Sequence, residues 1–219
     1  MQSKAQAPAA MDDGTRPENL IHLLQNKIDA LSKKQQAEIR HKCQEFQTAD
    51  GDITTMGISY RLLQDLADAG DFSEFTTEDM CMKFIKPMTE QFQSSFVNLF
   101  RAVMPPSIVN VEVRKATAFV SHAWSYSVKD QLFGPLLPKS SVGTDEVFWV
   151  DILSVNQHES PSQDGFEWWC KTFRECIQNI GRTVLLLSPL EYPTPLKRSW
   201  CLFEIFCTDR AGIEFEVAM

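Results

Sequence analysis

A glutamate stands out in the C-terminal half of the chain because its helical neighbours are almost all apolar. Glu204 lies in the segment Ser-Trp-Cys-Leu-Phe-Glu-Ile-Phe, and Trp200, four residues earlier, shares its helix face. A carboxylate among large apolar groups loses hydration, so we expect its pKa to be unusual unless a charged group or a donor pairs with it. The alternative is a solvent-facing glutamate that is ion-paired with Lys197 or Arg198.

Polar residues also follow three apolar runs that we predict as strands. The first run ends in Ser121-His122-Ala123-Trp124, the second in Asp151 and a polar loop, and the third in Ser188. In open parallel α/β sheets, ligands bind outside the carboxyl ends of the strands. We therefore predict one polar crevice, although each of these residue types is also common in turns and caps. The residues that this rule gathers are Ser121, His122, Asp151, Asn156 and Ser188.

Two other arrangements of reactive side chains have weaker support. Cys201 or Ser121 as a nucleophile, with His122 or His158 as its base, would make a hydrolase of another type. However, Cys201 lies inside a predicted helix, and the chain has no Gly-x-Ser-x-Gly segment. A zinc site built from the two histidines and a cysteine lacks any recognisable ligand spacing. We predict no metal site.

The elements that position these residues follow from apolar runs that alternate with helix-length segments. Such runs predict a parallel sheet with helices on both faces, joined by right-handed crossovers. The predicted strands are 116–121, 147–151, 183–188 and 213–217, and the predicted helices are 128–137, 164–180 and 195–210.

The preceding part of the chain has apolar positions at helical spacing and carries no motif that we can connect to chemistry. We predict four helices there, the last of which is kinked at Pro87 and continues to Val103. Their predicted first residues or caps are Pro17, Ser32, Thr54 or Thr55, and Thr77. The predicted organisation is a disordered lead-in at 1–16, an α-helical region at 17–106 and an α/β domain at 107–219.

Charge and hydropathy exclude several classes of partner. The formal net charge of the 219 residues is −8, which argues against a nucleic-acid groove because such a groove needs a concentrated basic face. No apolar run approaches the roughly 18 residues that a membrane span requires. The N-terminus also lacks the apolar core of a signal peptide. We predict a soluble, cytoplasmic protein with no membrane and no nucleic-acid partner.

Four segments, in this order, resemble those of a TIR (Toll/interleukin-1 receptor-like) domain. They are Phe119–His122, Phe148–Asp151, Val184–Ser188 and Ser199–Ile205, and the resemblance covers about 109–219. The last is the most specific, because it is similar to the Ser-x-Trp-Cys-x-x-Glu-Leu stretch of many TIR domains, especially those of plant immune receptors. The resemblance implies a flavodoxin-like fold, self-association and a role in innate-immunity and cell-death signalling.

The resemblance also implies two functions. Some TIR domains cleave NAD at the nicotinamide–ribose bond, and the glutamate of their Trp-x-x-x-Glu helix is the essential acidic residue, which Glu204 matches. NAD would then be a substrate, with no bound cofactor. Others are non-catalytic adaptors that self-associate and recruit other TIR-type domains. In the enzymatic interpretation the catalytic residue is Glu204, and the substrate-binding candidates are Ser121, His122, Trp124, Asp151, Asn156, Ser188 and Trp200.

The chain also differs from typical TIR domains. The first strand ends in Ser-His-Ala-Trp where many have Ser-x-x-Asp, and the loop after Asp151 lacks the usual acidic and Pro/Gly-containing sequence. A complete domain would continue past Met219 with another helix and usually a fifth strand. We therefore expect a truncated TIR-like sheet with one open edge, unless the N-terminal helices or a partner cover it.

Overall fold

The computed structural model describes residues 18–50, 55–137, 145–158 and 165–219, and a six-stranded sheet lies at its centre. In chain order the strands are β1 (Met56–Ser59), β2 (Val113–Lys115), β3 (Ala118–Ser121), β4 (Val147–Trp149), β5 (Arg182–Leu186) and β6 (Glu214–Ala218). Across the sheet their order is β2-β1-β4-β3-β5-β6. The predicted α/β class is confirmed, whereas the predicted lead-in at 1–16 lies outside the described residues.

The sheet is mixed, so the prediction of a wholly parallel sheet is wrong. The four predicted strands are present as β3 to β6 and are parallel to one another, but β1 is antiparallel to both β2 and β4. Gly57 permits the close pairing of β1 with β4, because a Cβ atom there would overlap the carbonyl oxygen of Phe148. This pairing covers the edge of β4 and leaves β2 and β6 as the outer strands.

The N-terminal region is mostly helical, but its helices differ from the predicted ones. They are α1 (Leu20–Asp29), α2 (Lys33–Asp50), α3 (Tyr60–Asp68), α4 (Thr77–Met80), α5 (Lys86–Thr89), α6 (Phe96–Val103) and α7 (Pro106–Glu112). The predicted start of a helix at Thr54 or Thr55 is wrong, because β1 comes first. The helix begins only after Ser59, whose hydroxyl accepts a hydrogen bond from the backbone N–H of Leu62 at 3.0 Å.

The single helix predicted from Thr77 to Val103 is broken into several pieces. A π-helical turn, Cys81–Ile85, and a 3₁₀ turn, Glu90–Phe92, interrupt it, and Pro87 lies in the first turn of α5. Gln93 then adopts a left-handed conformation with a φ of 51°, which ends the helical path. Ser95 starts α6 by accepting a hydrogen bond from the backbone N–H of Asn98 at 3.2 Å.

The predicted helices of the C-terminal half are present. A π-helical turn, Val128–Phe133, leads into α8 (Gly134–Leu136), followed by α9 (Asp151–Ser154), α10 (Gly165–Ile180) and α11 (Ser199–Ala211), the last preceded by a 3₁₀ turn, Pro195–Lys197. The one-turn helix α9 is an addition to the predicted set. Only Val150 separates it from β4, so its first residue, Asp151, lies at the carboxyl end of that strand.

Apolar side chains pack on both faces of the sheet, as predicted. Along β3, Ala118 and Val120 join a buried cluster that includes Leu24 of α1 and Phe100 of α6. Phe119 points to the other face, where its ring stacks on Trp149 with the ring centres 4.8 Å apart. The N-terminal helices and the sheet therefore share one hydrophobic core, while α10 and α11 cover the opposite face.

Candidate active site

Glu204 is buried over the end of β3, contrary to the solvent-facing alternative. Its carboxylate oxygen Oε2 accepts a hydrogen bond from the hydroxyl of Ser121, the last residue of β3. Only 7% of Glu204 is exposed, whereas its apolar neighbours Leu202 and Phe206 are 46% and 55% exposed. Helix α11 therefore directs polar groups toward the sheet and part of its apolar surface outward.

Two further contacts hold α11 in this orientation. Thr208, one turn after Glu204, donates to the carbonyl oxygen of Glu204 at 2.8 Å and is hydrogen-bonded to the hydroxyl of Thr183 on β5 at 2.9 Å. Near the start of the helix, the thiol of Cys201 donates to the carbonyl oxygen of His122 at 3.4 Å. The helix is thus attached to the carboxyl end of β3 and to β5, which determines where Glu204 lies.

The surroundings of Glu204 favour its protonated form. The pKa of this carboxyl group is raised to about 8, chiefly by burial and to a smaller extent by the nearby negative charge of Asp151. The hydrogen bond from Ser121 and the positive charge of Arg198 act in the opposite direction but do not cancel the effect of burial. Glu204 is therefore largely neutral at pH 7, and a positively charged ligand beside it would favour its ionised form.

Asp151 is the second carboxylate of the site and is held in place at both of its oxygens. Oδ1 accepts from the backbone N–H of Ile152 at 2.7 Å, and Oδ2 accepts from the indole nitrogen Nε1 of Trp124 at 2.7 Å. Its side chain is 17% exposed. The hydrogen bond from Trp124 joins the end of β4 to the segment that follows β3, so residues from two strand ends form one wall of the site.

His122 lies beside Asp151 with one ring nitrogen unsatisfied. Its Nε2 atom is 3.7 Å from Oδ1 of Asp151, which is too long for a hydrogen bond. No group among the described residues hydrogen-bonds this buried atom. Burial lowers the pKa of His122, while Asp151 and a hydrogen bond to the backbone of Val120 oppose the shift. We take the imidazole as neutral.

These groups line one cavity with a volume of about 190 Å³. Its lining residues are His122, Trp124, Asp151, Trp169, Phe173, Arg198, Trp200, Cys201 and Glu204. Drug-sized ligand sites range from roughly 300 to 1,000 Å³, so this cavity takes a small ligand or one end of a larger one.

The aromatic wall is supported by ring contacts between α10 and α11. Phe173 makes an edge-to-face contact with Trp200, with ring centres 5.7 Å apart, and lies 5.3 Å from the ring of Trp169. The sequence-based predictions missed Trp169 and Phe173. They are four residues apart, so they share a face of α10, but only the packing of α10 on α11 shows that they reach the site.

The structure brings together six of the eight predicted site residues and separates the other two. The six are Ser121, His122, Trp124, Asp151, Trp200 and Glu204. Asn156 lies elsewhere, because its side-chain amide donates to the carbonyl oxygen of Gln93 at 3.0 Å. Ser188 is also outside the cavity lining, since its hydroxyl accepts from Gln131 at 2.9 Å and its carbonyl accepts from Tyr126 at 2.7 Å.

The geometry does not favour the hydrolase alternative. Burial raises the pKa of the Cys201 thiol to about 12, which removes the thiolate that a nucleophile needs. Ser121 donates its hydroxyl to Glu204 rather than to a histidine, and His158 is hydrogen-bonded to Thr89 at 2.8 Å. Within the described part of the chain, no cluster of three or more His, Cys, Asp or Glu residues is arranged to hold a metal ion.

Comparison of the chain with protein-family models, with curated proteins and with solved structures found no match. None of the helices in the described ranges combines the length and the apolar character that crossing a membrane requires.

Proposed function

We propose that the chain is a TIR-like signalling protein that cleaves the nicotinamide–ribose bond of NAD, with Glu204 as the essential acidic residue. The observation that carries this proposal is a buried carboxyl group in the lining of an aromatic-walled cavity. Buried carboxyl groups with a strongly raised pKa are typical of functional sites.

The arrangement of the parallel strands supports a flavodoxin-like interpretation. Taken alone, β3 to β6 lie in the order β4-β3-β5-β6, which corresponds to the first four strands of the flavodoxin-like order 2-1-3-4-5. The chain passes from β4 on one side of β3 to β5 on the other, and ligands of such sheets bind beside this reversal. The cavity is lined by residues that follow β3 and β4 and by the helix that follows β5.

The chemistry of the cavity suits a flat, cationic ring joined to a sugar. Trp124, Trp169 and Trp200 line the cavity, and indole rings stack on planar rings and attract cations. The pyridinium ring of NAD is both planar and positively charged, and its charge would favour the ionised form of Glu204. Arg198, whose guanidinium suits phosphate oxygens, lines the same cavity. The adenosine half would extend beyond the cavity.

The proposed reaction breaks one C–N bond without a cofactor. The bonding electron pair moves to the pyridinium nitrogen, so nicotinamide leaves as a neutral molecule and the ribose becomes oxocarbenium-like. A carboxylate at Glu204 would stabilise that positive charge or hold the ribose hydroxyls. Water then adds to the ribose carbon and releases one proton, giving ADP-ribose.

The test is an NAD-consumption assay at high protein concentration, with free nicotinamide as the readout. We expect release by the wild type and a loss of at least roughly 100-fold in Glu204→Gln, because Gln keeps the shape of the side chain but not its charge. Asp209→Asn, an exposed acidic residue on the same helix, is the matched control and should keep full activity. A wild type that releases no nicotinamide, even on a crowding surface, would contradict the proposal.

A non-catalytic adaptor that self-associates, and that recruits other TIR-type domains, is the second candidate. The exposed apolar side chains of Leu202 and Phe206 on α11, together with Phe215 and Val217 on the outer strand β6, favour it. Sedimentation velocity across a concentration series should then show association that Phe206→Glu weakens by roughly tenfold or more. A protein that stays monomeric at every concentration would exclude this candidate.

A further inference from the structure

The wall formed by His122 and Asp151 presents two hydrogen-bond acceptors to the same small region. Nε2 of His122 has no hydrogen-bond partner among the described residues, so the hydrogen bond to the Val120 backbone is made by Nδ1. A backbone carbonyl can only accept, which places the proton of the neutral ring on Nδ1 and leaves Nε2 as a bare acceptor. Its neighbour 3.7 Å away, Oδ1 of Asp151, is also an acceptor.

Two acceptors that face each other cannot hydrogen-bond to one another, so only a third group with N–H or O–H donors can bridge them. Nε2 of His122 has lost its hydrogen bonds to water and gained none in return, because no group in the described ranges donates to it. Oδ1 of Asp151 accepts from the backbone N–H of Ile152 at 2.7 Å and, with two lone pairs, can accept a second donor. Trp124, the nearby indole donor, is already used by Oδ2 of Asp151. Both His122 and Asp151 line the cavity, so a ligand there can provide the donors.

The number and spacing of the acceptors indicate the chemical group that fits. A primary amide carries two N–H donors on one nitrogen. Placed about 2.9 Å from both acceptors, that nitrogen can direct one hydrogen to Nε2 and the other to Oδ1. A carboxylate in the same place has no hydrogen to donate and would also face the charge of Asp151, while a methyl ketone has no donor at all.

We propose that His122 and Asp151 recognise the primary carboxamide of the bound base, and that they make the site specific for nicotinamide over bases that lack an N–H donor. This inference rests on the proposed NAD cleavage, because it assigns the pyridinium ring to this cavity. It makes His122 a specificity-determining residue rather than a catalytic one.

The first test measures binding, which does not depend on turnover. Nicotinamide, 3-acetylpyridine and nicotinate are titrated separately into the full chain and followed by ligand-observed NMR. We expect nicotinamide to bind roughly 10- to 100-fold more tightly than either analogue, because each analogue leaves the buried Nε2 of His122 unpaired. Equal affinities for the three ligands, or no binding of nicotinamide, would overturn the inference. This test uses the wild-type chain alone, so its result does not depend on whether a variant folds.

The second test uses variants of two histidines. His122→Phe keeps a ring but removes Nε2, so it should bind nicotinamide and 3-acetylpyridine within about threefold of each other. The control His22→Phe changes an exposed histidine of α1 whose ring nitrogen is hydrogen-bonded to Ala69 at 3.2 Å, and it should keep the wild-type preference. A folded His122→Phe protein that still prefers nicotinamide would refute the role of His122.

The outcomes separate this inference from the proposed function. Selective nicotinamide binding without NAD cleavage would refute the enzymatic proposal and support the amide site. NAD cleavage without any preference for the amide would support the enzymatic proposal and refute the amide site. In an active protein, the thionicotinamide analogue of NAD, which keeps its N–H₂ group, should be cleaved well. The kcat/KM of the 3-acetylpyridine analogue should be roughly 10-fold or more below that of NAD, once each value is divided by the rate of spontaneous hydrolysis of that compound.

Discussion

At the scale of the residue, Glu204 combines two properties that oppose each other. Its burial destabilises the folded protein whenever the carboxyl group is ionised, yet the proposed chemistry needs that ionised form. Ser121 satisfies one oxygen by donating a hydrogen bond, and Arg198 lowers the pKa of Glu204 without restoring its usual value. An acidic group kept in this state at the expense of stability is typical of functional sites.

This opposition predicts how the stability of the protein changes with pH. The pKa of Glu204 is about 8 in the folded protein against an ordinary value of 4.5. Below pH 4.5 both the folded and the unfolded states are protonated. Between the two values only the unfolded state loses the proton, so stability falls as pH rises, and above pH 8 the loss is constant. Each tenfold difference in the acid dissociation constant of Glu204 between the two states changes the free energy of unfolding by about 1.4 kcal/mol.

Glu204→Gln removes this titration and should therefore gain stability relative to the wild type as the pH rises. Between about pH 5 and pH 8.5 the difference in the free energy of unfolding should move in favour of the variant by on the order of 4 kcal/mol. Urea denaturation of both proteins at the two pH values measures it, and the titrating groups that do not interact with Glu204 cancel in the comparison. A difference that stays constant with pH would show that Glu204 has an ordinary pKa.

At the scale of the element, strands buried on both faces were predictable from the sequence. The runs that became β3, β4 and β5 are continuous apolar segments, and such segments are typical of strands covered by helices on both sides. The rule that ligands bind at strand ends then found Ser121, His122 and Asp151 without any structure. Local pattern was sufficient because each of these residues ends its strand or lies within two residues of that end.

Elements whose structure depends on distant parts of the chain were not predictable. The strand β1 has only four residues, Met56–Ser59, and its partners β2 and β4 are far away in sequence, so helical spacing around Ile58 predicted a helix instead. Asn156 was assigned to the crevice because it follows a strand, but the loop turns toward Gln93 and Thr89 of the N-terminal region. Long-range contacts decided both cases.

At the scale of the whole molecule, the N-terminal helices are part of what holds the site. Their buried side chains, including Leu24 and Leu66, belong to the same cluster as Val120 and Val184 of the sheet. The edge of β4 is covered by β1, which comes from the same region. A destabilising change in α1 should therefore lower the stability of the sheet and its cavity as much as that of α1 itself, although the two lie far apart in sequence.

The tryptophans make this coupling measurable, since all five lie between positions 124 and 200. Leu24→Ala, at a fully buried position of α1, should reduce the free energy of unfolding by about 2–5 kcal/mol. Tryptophan fluorescence and far-UV circular dichroism should report the same shifted urea midpoint, because one core unfolds as one unit. Asn26→Ala, an exposed change on the same helix, should remain within about 0.5 kcal/mol of the wild type. If instead the fluorescence transition of Leu24→Ala kept the wild-type midpoint while the circular dichroism transition moved, the sheet and its cavity would be stable independently of the N-terminal helices.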